Sequence, residues 1–104
     1  MSEGVTVTVA WAIKAGLAEA FAELLGGMFP VTRQRPAFRS IRLLRSDVDP
    51  NQFLLIEEWD DARDFQDYAQ FRTETGDTAK LLAMTASYPQ MRVWALAPLA
   101  AAQA

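Results

Sequence analysis

Between Val5 and Ile13 large apolar residues (Val5, Val7, Val9, Trp11, Ile13) alternate without a break with small ones (Thr6, Thr8, Ala10, Ala12). A period of two with β-branched residues in the majority is the pattern of a strand buried on at least one face. After the short connection Lys14-Ala15-Gly16 the period changes. Leu17, Phe21, Leu24, Leu25 and Met28 recur at helical spacing, with the good helix formers Ala18, Ala20 and Ala22 between them. The spacing predicts a helix over about residues 16–28, fading at Gly26-Gly27 and broken by Pro30.

Two further strands are predicted, Ala37 to Arg45 and Gln52 to Trp59, joined by the turn-rich Asp47-Val48-Asp49-Pro50-Asn51. The connection is short enough for a hairpin. With Ser46 opposite Asn51, Glu57 falls opposite Ser40, Leu55 opposite Arg42, Phe53 opposite Leu44 and Trp59 opposite Phe38, and a slip of one residue exchanges the faces. Asp60 or Asp61 is a natural N-cap, with Asp64 in the first turn, for a helix carrying Phe65, Tyr68, Ala69 and Arg72. Gly76 interrupts that helix. A further helical stretch is expected over Thr78 to Ser87, then a last strand from Met91 to Ala97. Residues 98–104 read as a frayed tail on a single domain spanning 1–104 with its core over about 5–97.

The order β-α-β-β-α-β, with right-handed crossovers, gives an α+β, ferredoxin-like fold. Its four-stranded antiparallel sheet has the order 4-1-3-2 and helices on one face. The other face is left uncovered. Under the register above it is expected to display Phe53, Leu55 and Trp59, too much apolar surface for a monomer, so a homodimer formed by sheet-to-sheet packing is expected.

Composition narrows the chemistry. In 104 residues there is no cysteine and no histidine, which excludes thiolate nucleophiles, disulfides, Ser/His/Asp triads, His-ligated haem and Cys/His zinc sites. No glycine-rich fingerprint follows the first strand, and no metal, flavin or haem cofactor is expected. Asp47, Asp49, Asn51 and Glu58 imitate a calcium loop, but Gln52 stands where that loop needs glycine and the flanks read as strands. A net charge of −3 argues against polyanionic partners. Arg39 and Arg45 fall on one strand face and Arg42 on the other, and Phe53 to Trp59 lacks the basic-Gly-aromatic signature of RNA-recognition modules. No nucleic-acid partner is expected. No apolar run is long enough to span a membrane and Met1–Gly4 is polar, so a cytoplasmic protein is expected.

Several residues resemble those of a known family, the antibiotic biosynthesis monooxygenase domain of the dimeric α+β barrel superfamily. The resemblance runs from about Val5 to Val93. It rests on Lys14-Ala15-Gly16, on Pro36-Ala37-Phe38 where the family usually has Pro-Gly and an apolar residue, and on Asp49-Pro50 followed by an apolar strand ending Glu57-Glu58-Trp59. It implies a dimeric barrel with a cavity between sheet and helices, in a superfamily that includes cofactor-free quinol and anthrone oxygenases and haem-degrading enzymes. Tyr68 stands about where many members carry a His, which disfavours haem degradation. Leu55 and Phe65 stand where the polyketide oxygenases have an Asn and a Tyr.

Glu57 and Trp59 are the candidate catalytic residues, and Tyr68, Phe65, Arg72, Phe53, Leu55 and Arg42 the candidate substrate-binding residues. Desolvated, Glu57 would take a proton from an acidic phenol or 1,3-dicarbonyl and leave an anion able to react with O₂. Alternatively Glu57 pairs with Arg42 and Trp59 is packing. Phe65, Tyr68 and Arg72 share a helix face that suits a planar ligand, or else serve the core with Arg72 reaching outward. The resulting expectation is a cofactor-independent monooxygenase acting on a small planar aromatic or quinol-type substrate. The alternative is a non-catalytic barrel that binds a small apolar ligand or has a vestigial pocket.

Overall fold

The structure, a computed structural model, describes residues 3–97. The tail expected over 98–104 lies outside the described residues. The elements are β1 (Val5–Ala12), α1 (Ala18–Thr32), β2 (Phe38–Arg45), β3 (Gln52–Trp59), α2 (Ala62–Glu74), α3 (Asp77–Leu82) and β4 (Gln90–Ala95). They form one antiparallel sheet in the order β2-β3-β1-β4, which is the expected order read from the opposite edge.

Parity on the central strands decides what is buried. Val7, Val9 and Trp11 of β1 and Phe53, Leu55, Glu57 and Trp59 of β3 all face the helices and are buried. Phe21, Leu25 and Met28 of α1, Phe65 and Tyr68 of α2 and Leu81 of α3 close over them. The uncovered face therefore does not carry Phe53, Leu55 and Trp59. A period of two shows which residues travel together, and the bulk of this set draws it under the helices. The open face instead carries Thr6, Thr8, Leu54, Ile56, Glu58, Arg42, Leu44, Arg92 and Trp94. Leu44 and Trp94 are exposed there, and the Trp94 indole N–H donates to Thr8 Oγ1 at 2.8 Å.

The hairpin register differs from expectation by one residue over most of its length. Phe38 does pair with Trp59, but a bulge between Phe38 and Ser40 places Ser40 opposite Glu58, Ile41 opposite Glu57 and Arg42 opposite Ile56. The cause lies at both ends of the hairpin. Ser46 Oγ accepts from the N–H groups of Val48 and Asp49, Asp49 Oδ1 accepts from Asn51 N–H, and Ser46 N–H donates to the Gln52 carbonyl, which sets the loop. At the far end Ala37 adopts φ 66° and its carbonyl accepts from Asp60 N–H at 2.8 Å. A left-handed backbone is glycine territory, which accounts for the Pro-Gly usual at this place in the resembling family.

Pro30 does not end α1. The helix runs on to Thr32 because its last turn is held locally and from outside: Met28 carbonyl accepts from Thr32 Oγ1 and Phe29 carbonyl from Arg33 N–H, and Arg72 Nη2 of α2 donates to the Met28 carbonyl as well. Proline removes one N–H bond to Gly26, and two residues from the end that loss is small. Asp61 caps α2 by accepting from Asp64 N–H at 2.9 Å. Gly76, at φ 84°, divides α2 from α3. The third helix is shorter than expected, because Lys14 N–H donates to Met84 carbonyl, Ala86 N–H to Ala12 carbonyl, and Ile13 bridges Thr85. Those bonds to the end of the first strand replace helical ones. The basic run and the acidic run meet within the fold through Arg39 and Asp60, whose side chains lie 2.7 Å apart.

Candidate functional site

Sheet and helices enclose a cavity of about 540 Å³ opening beside β4. A volume of this size suits a small organic ligand. Its walls are mostly apolar: Val9, Trp11, Leu25, Met28, Phe29, Ile41, Leu55, Phe65, Leu81 and Leu82 line it, and Tyr88, Pro89 and Met91 lie on the open side. Polar groups enter from one strand and three helices, as Glu57 from β3, Thr32 from α1, Tyr68, Arg72 and Thr73 from α2, and Thr78 from α3.

Glu57 is 3% exposed. Burial pushes its carboxyl above the ordinary value of 4.5, against the opposing pull of the Trp59 hydrogen bond and the Arg72 charge. The Trp59 indole N–H donates to Glu57 Oε1 at 2.8 Å. Oε2 accepts no hydrogen bond within the described residues. Trp59 itself is fully buried and does not line the cavity. Its ring lies between Phe38 and Tyr68, with centroids 5.5 and 5.1 Å away, and Phe65 at 6.2 Å. This aromatic cluster fixes the indole and, through it, the carboxylate.

Tyr68 and Arg72 belong to a second polar group. Arg72 donates from Nε to Tyr68 Oη at 2.9 Å, from Nη1 to Asp77 Oδ2 at 2.7 Å, and from Nη2 to Met28 carbonyl at 2.8 Å and Thr32 Oγ1 at 3.2 Å. Thr32 donates its hydroxyl proton to Met28 carbonyl, so the 2.7 Å contact between Thr32 and Tyr68 has the phenol as donor. One side chain thus ties α1, α2 and the start of α3 together. A Thr75 hydrogen bond, aided by Arg72, holds the Asp77 carboxyl below its usual value.

Of the sequence-derived candidates, Glu57, Leu55, Phe65, Tyr68 and Arg72 line one cavity, with Trp59 directly behind Glu57. Phe53 does not line it. It packs 5.1 Å from Phe21, with the Arg45 guanidinium 5.1 Å from its own ring centre. Arg42, a candidate for substrate binding, is on the open face opposite Ile56 and does not line the cavity, so the alternative in which it pairs with Glu57 does not form either. The charge that acts on Glu57 is Arg72. Thr32 and Asp77 were not legible as site residues. Thr32 continues the spacing of Phe21, Leu25 and Met28, a signal that goes unused if the helix is stopped at Pro30.

A ferredoxin-like sheet with a lined cavity under its helices defines the class, and comparison with known proteins specifies the family. The antibiotic biosynthesis monooxygenase family profile matches residues 4–73, and the chain belongs to that family. No curated protein sequence matches it significantly. Among solved structures it is similar to a conserved protein from Methanosarcina mazei Go1 (TM-score 0.83, 12% identity, 90% of this chain and 93% of that one). It is also similar to an antibiotic biosynthesis monooxygenase (TM-score 0.81, 21% identity, 90% and 99% covered). A mutant of SnoaB, a cofactor-independent oxygenase from Streptomyces nogalater, superposes with a TM-score of 0.81 at 16% identity over 95% of this chain and 98% of that one. At these identities the structures show a shared fold. No helix among the described residues is long and apolar enough to cross a membrane.

Proposed function

We propose that the protein is a cofactor-independent monooxygenase, acting in the cytoplasm on a small planar aromatic or quinol-type substrate, with Glu57 as its base. The observation that carries this is a buried carboxylate raised above its ordinary value, oriented by an indole N–H, at the wall of an apolar cavity. Such a base takes the proton of an acidic O–H or of a C–H beside a carbonyl, and the electron-rich anion it leaves reacts with O₂ directly. Overall the substrate loses two hydrogens and gains one oxygen atom, and the second oxygen atom leaves as water. Leu55, Phe65 and Tyr68 provide the surfaces against which a planar ring packs.

The test is oxygen uptake by the purified protein with hydroquinones, anthrones and related phenols. Uptake that Glu57→Gln abolishes supports the reading, whereas uptake unchanged in that variant overturns it. A second reading, a non-catalytic barrel for a small apolar ligand, is favoured by one feature: the hydrogen bonds of Tyr68 and Arg72 are made within the protein. Binding without uptake for the whole panel supports that reading.

The same proposal includes a homodimer formed by packing the open sheet face on its copy. Leu44, Leu54, Ile56 and Trp94 supply the apolar centre, with Arg42, Arg92 and Glu58 around them. Roughly 1,500 Å² or more of total buried surface is expected for a stable pair. Light scattering showing a monomer at micromolar concentration contradicts it.

A further inference from the structure

The cavity holds an acidic and a basic side chain, Glu57 and Arg72, that act on one another, and they differ in what they have left to offer a ligand. Four hydrogen bonds engage Arg72, and its charge is matched by the Asp77 carboxylate. A guanidinium has five N–H donors, so almost nothing remains for an anion. Tyr68 is similarly engaged, since its proton goes to Thr32 and its oxygen accepts from Arg72. Glu57 is the exception among these three, and beside it only the buried Trp11 indole N–H of the cavity lining has no partner among the described residues. Oε1 holds the Trp59 indole, and Oε2, on a residue 3% exposed, has no partner within the described residues.

We infer that the cavity takes its ligand uncharged, with a ring oxygen set against Glu57 Oε2, and discriminates against the same ring bearing a carboxylate. This rests on reading the cavity as the substrate site. A ligand that fills the cavity removes the water that would otherwise serve Oε2, so the oxygen needs a partner from the ligand. One proton between two oxygens is the simplest arrangement: a carbonyl oxygen accepts it from protonated Glu57, and a hydroxyl donates its own to the carboxylate. The same contact therefore suits the quinone and hydroquinone forms of one ring. A ring carboxylate brings a second buried negative charge, and Arg72, the only cation at the wall among the described residues, is already paired with Asp77. A ring without oxygen leaves Oε2 unmet, and a site built to hydrogen-bond a ligand rejects the analogue that lacks the group.

The experiment is an NMR titration of the full chain with 1,4-naphthoquinone, naphthalene and 1-naphthoate. The absence of cysteine removes thiol addition to the quinone as a complication. The quinone is expected to bind at least tenfold tighter than either of the others. Glu57→Gln, which keeps an N–H donor in place of the acid, should hold quinone affinity within about threefold, while Glu57→Leu should lose about tenfold with naphthalene unaffected. Equal or tighter binding of 1-naphthoate, quinone binding unchanged in Glu57→Leu, loss of quinone binding in Glu57→Gln with its fold intact, or no binding of any of the three overturns the inference. Oxygen uptake separates the two readings. A phenol panel that fails to consume O₂ while the quinone selectivity holds removes the oxygenase and leaves this inference standing, and uptake without the selectivity does the reverse.

Discussion

Glu57 and Glu58 are neighbours in sequence on two different faces of β3. Glu58 is exposed and accepts from Ser40 Oγ at 3.0 Å on the open face, where water screens it. Glu57 lies beneath the helices among Trp59, Leu55 and Tyr68, and burial raises its pKa. Residue type is the same in both, so environment alone separates a surface carboxylate from a candidate base. The two arginines beside them show the same division. Arg42 is exposed on the open face, whereas Arg72 is tied into the cavity wall with its side chain 12% exposed.

The largest effect is expected from exchanging the two acids separately. Glu57→Gln should lower oxygen uptake by roughly 10²–10⁴-fold, the usual contribution of a general base. Glu58→Gln should leave it within about twofold, since that side chain is on the other face. Equal losses in an uptake assay would erase the distinction between the faces. The arginines sharpen it in stability rather than rate. Arg72→Met leaves the Asp77 carboxylate unpaired and removes a bond to the Met28 carbonyl, so a loss of about 3 kcal/mol is expected from denaturant unfolding. Arg42→Met, at the rim of the open face and with no ion pair among the described residues of the protomer, should cost less than about 1 kcal/mol.

A third expectation follows from the sign of the Glu57 shift. A carboxyl with a folded-state pKa above its unfolded value favours the native state fully below the ordinary 4.5, and that contribution is lost as pH rises through the raised value. Glu57→Gln carries no such loss. Its stability relative to the parent should therefore increase with pH from about 4.5 upward, as read from urea midpoints at a series of pH values, and a flat difference would argue against burial as the cause. The smallest effect concerns the hairpin end. Ala37, at φ 66°, should accept glycine with a gain of about 0.5–1 kcal/mol, because relief of left-handed strain exceeds the added flexibility of the unfolded chain.

Much of the architecture was legible because it depends on periodicity. The alternation of Val5–Ile13 and the exact span of Gln52 to Trp59 lead directly to the sheet order, and the cap of α2 was narrowed to Asp60 or Asp61, of which Asp61 serves. What was hidden depends on bonds between distant residues. The bulge at Phe38/Ser40 moves Arg42 away from Glu57, and nothing local marks it except an alanine in a position that prefers glycine. The last turn of α1 survives Pro30 in part because Arg72, 44 residues from Met28, binds that residue's carbonyl. Thr32 was lost with that turn, and with it the hydroxyl that occupies Tyr68. The face of β3 was likewise a question of which set of side chains the helices cover, which a strand's own period cannot answer.

The central claim is that burial outweighs both the Trp59 hydrogen bond and the Arg72 charge at Glu57. A ¹³C NMR titration of the Glu57 side-chain carboxyl, assigned by its loss in Glu57→Gln, measures that balance directly. A midpoint above 4.5 is expected, and a midpoint at or below 4.5 would contradict it, leaving Glu57 an ordinary carboxylate held by an indole and a cation.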